Sequence, residues 1–175
     1  MSFIIAERLI PIIMTFTGKN CIVEIGSGGT STPLLAKIGQ QMGVKFYSCD
    51  IRREVKPLYN LHFPVIMSSF DFIKTFDDTP SIVFIDGNHD HEITMVEMEF
   101  FLKKMVTGGV IFMHDTYPPT EKHLNHGACS DSYKTRLHYE KRRDIVDTFT
   151  WPYTAGDCGL TMYLKKAEGR PFYRE

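Results

Sequence analysis

The sequence predicts an α/β fold, a doubly wound and mostly parallel sheet of about seven strands with an antiparallel pair at one edge. Three observations predict it. Short apolar runs alternate with helix-period segments along most of the chain, which implies right-handed crossovers and a sheet covered on both faces. The first run ends in a glycine turn, Gly26-Ser27-Gly28-Gly29, directly ahead of a helical pattern. The last two runs are joined by a Gly156-containing turn rather than a helix, so they pair antiparallel.

Residues 2–17 set Ile5, Leu9, Ile12, Ile13 and Phe16 near helical spacing. Pro11 within them predicts a kink or an early break. Cys21-Ile22-Val23-Glu24-Ile25 reads as the first strand, and Thr30 to Met42 as the helix after the turn. Val44 to Cys49, ending at Asp50, is the second strand; Phe63 to Met67 is the third, and Ser81 to Ile85, ending at Asp86, the fourth. From about His91 to Met105 a helix is expected with Ile93, Val96, Phe100 and Phe101 inward and Glu92, Glu97, Glu99, Lys103 and Lys104 outward. Gly108-Gly109 ends it. Val110 to Met113 is a fifth strand ending at His114-Asp115. A helix from about Ser132 to Arg143 and two edge strands, Ile145–Trp151 and Leu160–Leu164, complete the pattern.

The chain has 175 residues, the length of one domain, and no linker, repeat or low-complexity tract divides residues 1–175. With 20 Lys+Arg against 21 Asp+Glu, the formal net charge is −1. Nucleic acid and anionic membranes require clustered excess basic charge, so neither is an expected partner and a small molecule is. The basic cluster Lys134, Arg136, Lys141, Arg142 and Arg143 reads as a solvated helix face. Cys21, Cys49, Cys129 and Cys158 form no C-x-x-C pair, against a zinc ribbon or redox dithiol, and the expected compartment is the reducing cytoplasm. Glu7 and Arg8 interrupt the apolar N-terminus, which is therefore read as a packed helix and not a signal peptide.

In an open α/β sheet, ligands bind beyond the carboxyl ends of the strands. This sequence places Glu24 to Thr30, Asp50, Ser68-Ser69, Asp86 to His91 and His114 to Thr116 at those ends. The glycine turn has the first two glycines of a dinucleotide fingerprint, but Ser31 stands where the third is needed, which disfavours a dinucleotide. Asp50, positioned 24 residues after Gly26, suits the two hydroxyls of a ribose or, equally, a helix cap. Glu24 is an acid inside an apolar strand, and burying it demands a ligand or a backbone donor.

Val23-Glu24-Ile25-Gly26-Ser27-Gly28-Gly29-Thr30-Ser31 resembles motif I of class I S-adenosylmethionine-dependent methyltransferases, with Asp50 at the place of the ribose-binding acid. The segments Phe84 to Glu92 and Gly108 to Thr116 resemble a subgroup with a D-G-x-H segment and a strand ending in H-D or E-D, which includes macrocin O-methyltransferase-like enzymes. The resemblance covers residues 20–116 and implies the Rossmann-like form of the fold read above. It implies that Gly26, Ser27, Gly28, Thr30 and Ser31 wrap the methionine part of S-adenosylmethionine, with Glu24 steadying the loop and Asp50 holding the ribose. Ser68 and Ser69 match the segment beside the adenine, without the usual Asp, and Asp86 borders the cofactor. The implied reaction is methyl transfer to a small-molecule hydroxyl. His89 is the implied general base and Asp86 its catalytic partner; Asp86 and Asp115 are the implied ligands of a divalent cation such as Mg²⁺. His114 departs from the Glu of some relatives and is a poorer magnesium ligand. His91, at the start of a helix, is expected to be exposed or to pack rather than to act as a base.

Two alternatives stay open at this level. Gly87-Asn88-His89-Asp90 also reads as the G-N-H-D box of calcineurin-like metallophosphoesterases, but their upstream D-x-H, intervening G-D-x-x-D and late G-x-H are missing. A non-catalytic cofactor-binding protein is the other, because only about 20 residues precede the first strand. A homodimer partner completing the small pocket is compatible with the main reading. Residues 117–143 hold the expected substrate-covering insertion, with Trp151-Pro152-Tyr153 either lining the pocket or packing the edge.

Overall fold

The structure is a computed structural model and describes residues 2–52, 56–125, 128–152 and 158–167. Its helices are α1 (Ser2–Thr17), α2 (Ser31–Met42), α3 (Ser69–Thr75), α4 (His91–Lys104) and α5 (Tyr133–Glu140). Its strands are β1 (Cys21–Ile25), β2 (Phe46–Asp50), β3 (His62–Ile66), β4 (Pro80–Ile85), β5 (Val110–His114), β6 (Val146–Trp151) and β7 (Leu160–Lys165). They form one sheet in the order β3-β2-β1-β4-β5-β7-β6. The pairs from β3 through β5 are parallel, and β7 runs antiparallel to both β5 and β6. The expected fold class is borne out. The Gly156 turn and Tyr153 lie outside the described residues.

Side chains alternate across the sheet and feed two apolar layers. On one face Ile22, Phe46, Ile82, Phe84, Val110 and Phe112 pack against Ala6, Ile10 and Met14 of α1 and Leu35 and Ile38 of α2. On the other, Val23, Ile25, Val83, Ile85, Ile111 and Met113 pack against Phe72 of α3, Met98 and Phe101 of α4 and Tyr139 of α5. Coverage on both faces explains why β1 and β4 are buried at every residue and read as continuous apolar runs. The chain passes outward from β1 to β3 and then returns to β4, so the strand order reverses between β1 and β4. That reversal opens the crevice in which such sheets bind ligands.

Two helices differ from the sequence pattern. α1 continues through Pro11 without a break; burial on both sides of the proline outweighs the one backbone hydrogen bond it forfeits. Its core stripe is Ala6, Ile10 and Met14, whereas Ile12 and Phe16 face outward. In α4 the buried residues are Thr94, Glu97, Met98, Phe101 and Leu102. Val96 is exposed and Glu97 is 1% exposed, the reverse of the expectation. The stripe is turned by one residue because Met98 and Leu102 fill the layer under the sheet, which carries Glu97 inward with them.

Arg136 also departs from a solvated face. Its Nε donates to the Thr116 carbonyl at 3.0 Å, and its guanidinium lies over the Tyr117 ring. It therefore ties α5 to the segment after β5. The cysteines form no disulfide, and among the described residues no helix is long and apolar enough to cross a membrane.

The observed register of α1 is testable by denaturant unfolding. Ile10→Ala should cost about 2–4 kcal/mol, as cavity-forming core substitutions do, whereas Ile12→Ala should stay within about 0.5 kcal/mol of the parent.

Candidate functional site

The parallel strand ends meet at a cavity of about 650 Å³. Gly26 after β1, Asp50 and Ile51 at the end of β2, Ser68 and Ser69 after β3, and Asp86 and His89 after β4 all line it. Ile93 and Glu97 of α4 contribute the inner wall.

Gly26 holds the rim together. Its φ of 88° lies in the left-handed region, and a Cβ there would overlap the Asp86 carbonyl and the Gly87 Cα. Its N–H donates to the Cys49 carbonyl at 2.8 Å, while the Asp86 N–H donates to the Ile25 carbonyl at 2.8 Å. The next residue, Ser27, donates its N–H to Asp50 Oδ2 at 3.0 Å, and the Arg52 N–H donates to Asp50 Oδ1 at 2.6 Å. The turn thereby fixes the carboxylate at the cavity wall.

Behind the turn, fully buried Glu24 accepts from the Thr32 hydroxyl at 2.6 Å, and that hydroxyl accepts from the Gly28 N–H at 2.9 Å. This relay locks β1, the turn and the start of α2 together. Burial pushes the Glu24 carboxyl up to about 8 against the opposing pull of the Ser31 and Thr32 hydroxyls. Thr32 was not singled out from the sequence; its signal is a hydroxyl in the first turn of α2, eight residues after a buried acid. Thr30 occupies the N-cap position of α2 and is exposed, and Ser31 is buried beneath the turn.

Ser68 caps α3. Its hydroxyl accepts from the Asp71 N–H at 3.1 Å and donates to Asp71 Oδ2 at 2.7 Å. Of the two serines, it is therefore Ser69 whose hydroxyl is not held by a helix cap. Glu97 is the acid the sequence pattern placed outside. Burial dominates and pushes its carboxyl up to about 7, although Ser69 favours its charged form. Neither carboxylate oxygen meets a donor with hydrogen-bonding geometry among the described residues.

At the other side of the rim two acids and two imidazoles gather. His114 Nδ1 lies 3.2 Å from Asp86 Oδ1 and 3.3 Å from Asp115 Oδ2. His89 Nε2 lies 3.7 Å and 3.6 Å from the same two oxygens. Burial opposes charge on His114, but the Asp115 and Asp86 carboxylates override it and hold the imidazole up to about 10. Burial likewise opposes the charge of both Asp86 and His89. The imidazoles nonetheless lower the Asp86 carboxyl, and Asp86 with Asp115 raises His89. Asp115 has a φ of 54°, an uncommon conformation for a residue with a side chain. Asp86, His114 and Asp115 can each offer one atom to a common cation, these atoms lying within 4.8 Å of one another. His114, set aside in the sequence as a poor ligand, thus stands in the donor set, and Phe3 of α1 stacks on its ring at 5.0 Å.

The segment expected to cover substrate also orients His89. The Ala128 carbonyl meets His89 Nδ1; a carbonyl only accepts, so Nδ1 carries the proton and Nε2 is left facing the acids. The Asp131 N–H donates to the His89 carbonyl at 3.2 Å, and Asp131 Oδ1 accepts from the His91 N–H at 2.7 Å. His91 Nδ1 meets the Thr135 hydroxyl at 2.8 Å, so of the two expected states, exposed or packed, His91 takes the packed one. Asn88 Oδ1 accepts from the Asp90 N–H, and Asp90 Oδ1 caps α4 by accepting from Glu92 and Ile93. The Gly87 to Asp90 box is accounted for by a capping turn.

A family model described as a methyltransferase domain matches residues 23–116. The chain belongs to the methyltransferase domain family. The class I S-adenosylmethionine-dependent type implied by the sequence resemblance is thereby borne out, while the macrocin-like subgroup is not decided. No curated protein matches the chain. Among solved structures it is similar to the O-methyltransferase TomG from Streptomyces achromogenes in complex with SAM, at 18% identity and TM-score 0.66 over 93% of this chain and 80% of that one. The O-methyltransferase from Bacillus cereus in complex with SAH is similar at 16% identity and TM-score 0.63, over 92% and 80%. The mycinamycin-pathway methyltransferase MycE, in complex with Mg, SAH and mycinamycin VI, is similar at 13% identity and TM-score 0.61, over 95% of this chain and 51% of that one. At such identities the likeness carries the fold alone.

Gly26→Ala should destabilise the methyltransferase by about 2–4 kcal/mol, combining left-handed strain with backbone overlap. Gly18 has a φ of 87° but open space around its Cβ position, so Gly18→Ala should cost only the strain, about 1 kcal/mol. Urea unfolding separates the two. Glu97 gives a pH signature in the ligand-free protein. Its folded pKa is about 7 against an ordinary 4.5, so its favourable contribution is complete below 4.5 and lost as pH rises through 7. Glu97→Gln should therefore raise the unfolding free energy, read from urea unfolding, by roughly 2–3 kcal/mol at pH 8, and far less at pH 5.

Proposed function

We propose that this methyltransferase moves the methyl group of S-adenosylmethionine to a hydroxyl of a small-molecule acceptor, with His89 as general base. The observation that supports it most is the tautomer of His89. Its Nδ1 proton is committed to the Ala128 carbonyl, and its Nε2 faces the rim beside Asp86 and the glycine turn. In this reading the methionine part lies along Gly26, Ser27, Gly28, Thr30 and Ser31, the relay through Glu24 and Thr32 keeps that turn rigid, and Asp50 receives the ribose. The acceptor oxygen attacks the methyl carbon in line with the departing sulfur. The C–S bond breaks with its electron pair on sulfur, giving neutral S-adenosylhomocysteine, and the hydroxyl proton passes to His89 Nε2. Asp86 stabilises the imidazolium that forms.

The donor set fits a divalent cation. Asp86, His114 and Asp115 would hold it through two carboxylate oxygens and one imidazole nitrogen. A bound cation would supply Lewis acidity that lowers the pKa of the acceptor hydroxyl. With an imidazole in the set, a first-row ion such as Mn²⁺ or Zn²⁺ suits it more than Mg²⁺.

Titration calorimetry should show binding of both S-adenosylmethionine and S-adenosylhomocysteine, and absence of both would refute the cofactor reading. His89→Ala should keep cofactor affinity within about threefold and lose roughly 10²–10⁴-fold in turnover on a hydroxyl acceptor; unchanged turnover would remove His89 as the base. In thermal-shift titrations Mn²⁺ should raise Tm more than Mg²⁺, and Asp115→Asn should abolish the shift. Equal shifts from both ions would count against the mixed donor set.

A further inference from the structure

The three donors that converge on the rim are not held alike. Asp86 follows β4 directly, and its N–H is fixed on the Ile25 carbonyl of β1. His114 is the last residue of β5 and still pairs with Leu160 of β7. Asp115 lies one residue past that ladder, with a φ of 54°. A residue with a side chain keeps this left-handed conformation only where its surroundings hold it there. Through this turn its carboxylate comes to lie beside the His114 and His89 imidazoles. Two contacts hold the backbone: the Asp115 N–H donates to the Gly159 carbonyl at 2.9 Å, and the Asp115 carbonyl accepts from the Ser132 hydroxyl at 2.7 Å.

Ser132 stands where a serine usually has another task. It occupies the N-cap position of α5, where a hydroxyl commonly accepts from a backbone N–H two or three residues on. Here it makes no such bond. Fully buried, the hydroxyl turns back out of the helix and shares its single proton between the carbonyls of Asp115 and Cys129, at 2.7 Å and 2.8 Å. One turn further along the same face of α5, Arg136 Nε donates to the Thr116 carbonyl at 3.0 Å. Consecutive carbonyls after β5 are thus gripped by one helix. Asp131, just before Ser132, donates its N–H to the His89 carbonyl, so the start of α5 fixes the backbone of His89 and of Asp115 together.

We propose that Ser132 is a positioning residue for the cation site, its hydroxyl holding Asp115 in the left-handed conformation that aims the carboxylate at a divalent cation. The inference rests on the reading that Asp86, His114 and Asp115 take such a cation. Without the hydroxyl, the Asp115 carbonyl loses its donor from α5, the turn relaxes, and the carboxylate leaves the place it shares with the other two donors. Loss of a partner behind a metal ligand costs roughly 10–100-fold in metal affinity. A contact to the ligand's backbone belongs at the lower end of that range.

Calorimetric titration of the full chain with Mn²⁺ tests it. Ser132→Ala should weaken Mn²⁺ binding roughly 10-fold. Ser132→Cys, close in size but only a weak donor, should do the same, and it decides alone if the alanine variant does not fold. Thr135→Ala controls for a general loosening of α5. Thr135 is also fully buried on that helix, but its hydroxyl meets Thr94 and His91 and none of the three donors. Its variant should bind Mn²⁺ within about twofold of the parent. Affinity kept by both Ser132 variants, or an equal loss in Thr135→Ala, would make Ser132 a merely structural residue and overturn the proposal while leaving the cation reading intact. A parent that binds no Mn²⁺ would overturn both.

Discussion

The contact on which the site depends is the close approach of two strand ends, where Gly26 after β1 lies against the backbone of Asp86 and Gly87 after β4. There is no room for a side chain between them. That approach brings the glycine turn and the acid-imidazole cluster onto one rim, and it occurs where the strand order reverses. Backbone hydrogen bonds from Gly26 to Cys49 and from Asp86 to Ile25 hold three neighbouring strand ends in register. Without this contact the turn and Asp86 would still be strand-end residues, but they would not face a common cavity.

Electrostatics then divides the rim into two parts. On the Asp86 side, carboxylates and imidazoles of opposite tendency support one another: His114 and His89 keep Asp86 ionised, and the acids keep the imidazoles basic. Near the glycine turn and α4, Glu24 and Glu97 lie in apolar surroundings that favour their neutral forms. Glu24 is tied into the fold by Thr32, whereas Glu97 is carried in by the packing of its own helix. The insertion after β5 contributes to the first part, because Ala128 and Asp131 clamp the backbone and ring of His89.

Much of this was legible in the chain. The alternation of apolar runs and helical segments identified the sheet and its strand ends, since a parallel sheet buried on both faces leaves continuous apolar runs. Asp50, Ser69, Asp86 and His89 were named from those ends, and the structure brings all of them to the cavity. What escaped were side chains whose role depends on rotation about a helix axis or on a distant segment. A one-residue turn of α4 exchanges Val96 for Glu97. The α1 stripe could be assigned to Ile12 or Ile10 with equal ease, as apolar residues occupy both faces of that helix.

The sequence by itself determined the fold class, the order of the elements and the residues that stand at strand ends, because these follow from local periodicity and from glycine's access to left-handed backbone. Only the tertiary structure decided that His114 shares Asp86 and Asp115, that Ala128 sets the tautomer of His89, and that Glu97 points inward. Those three depend on contacts between segments that lie far apart in the chain or on which face of a helix the core selects. Packing under the sheet makes that selection, and no local pattern carries it.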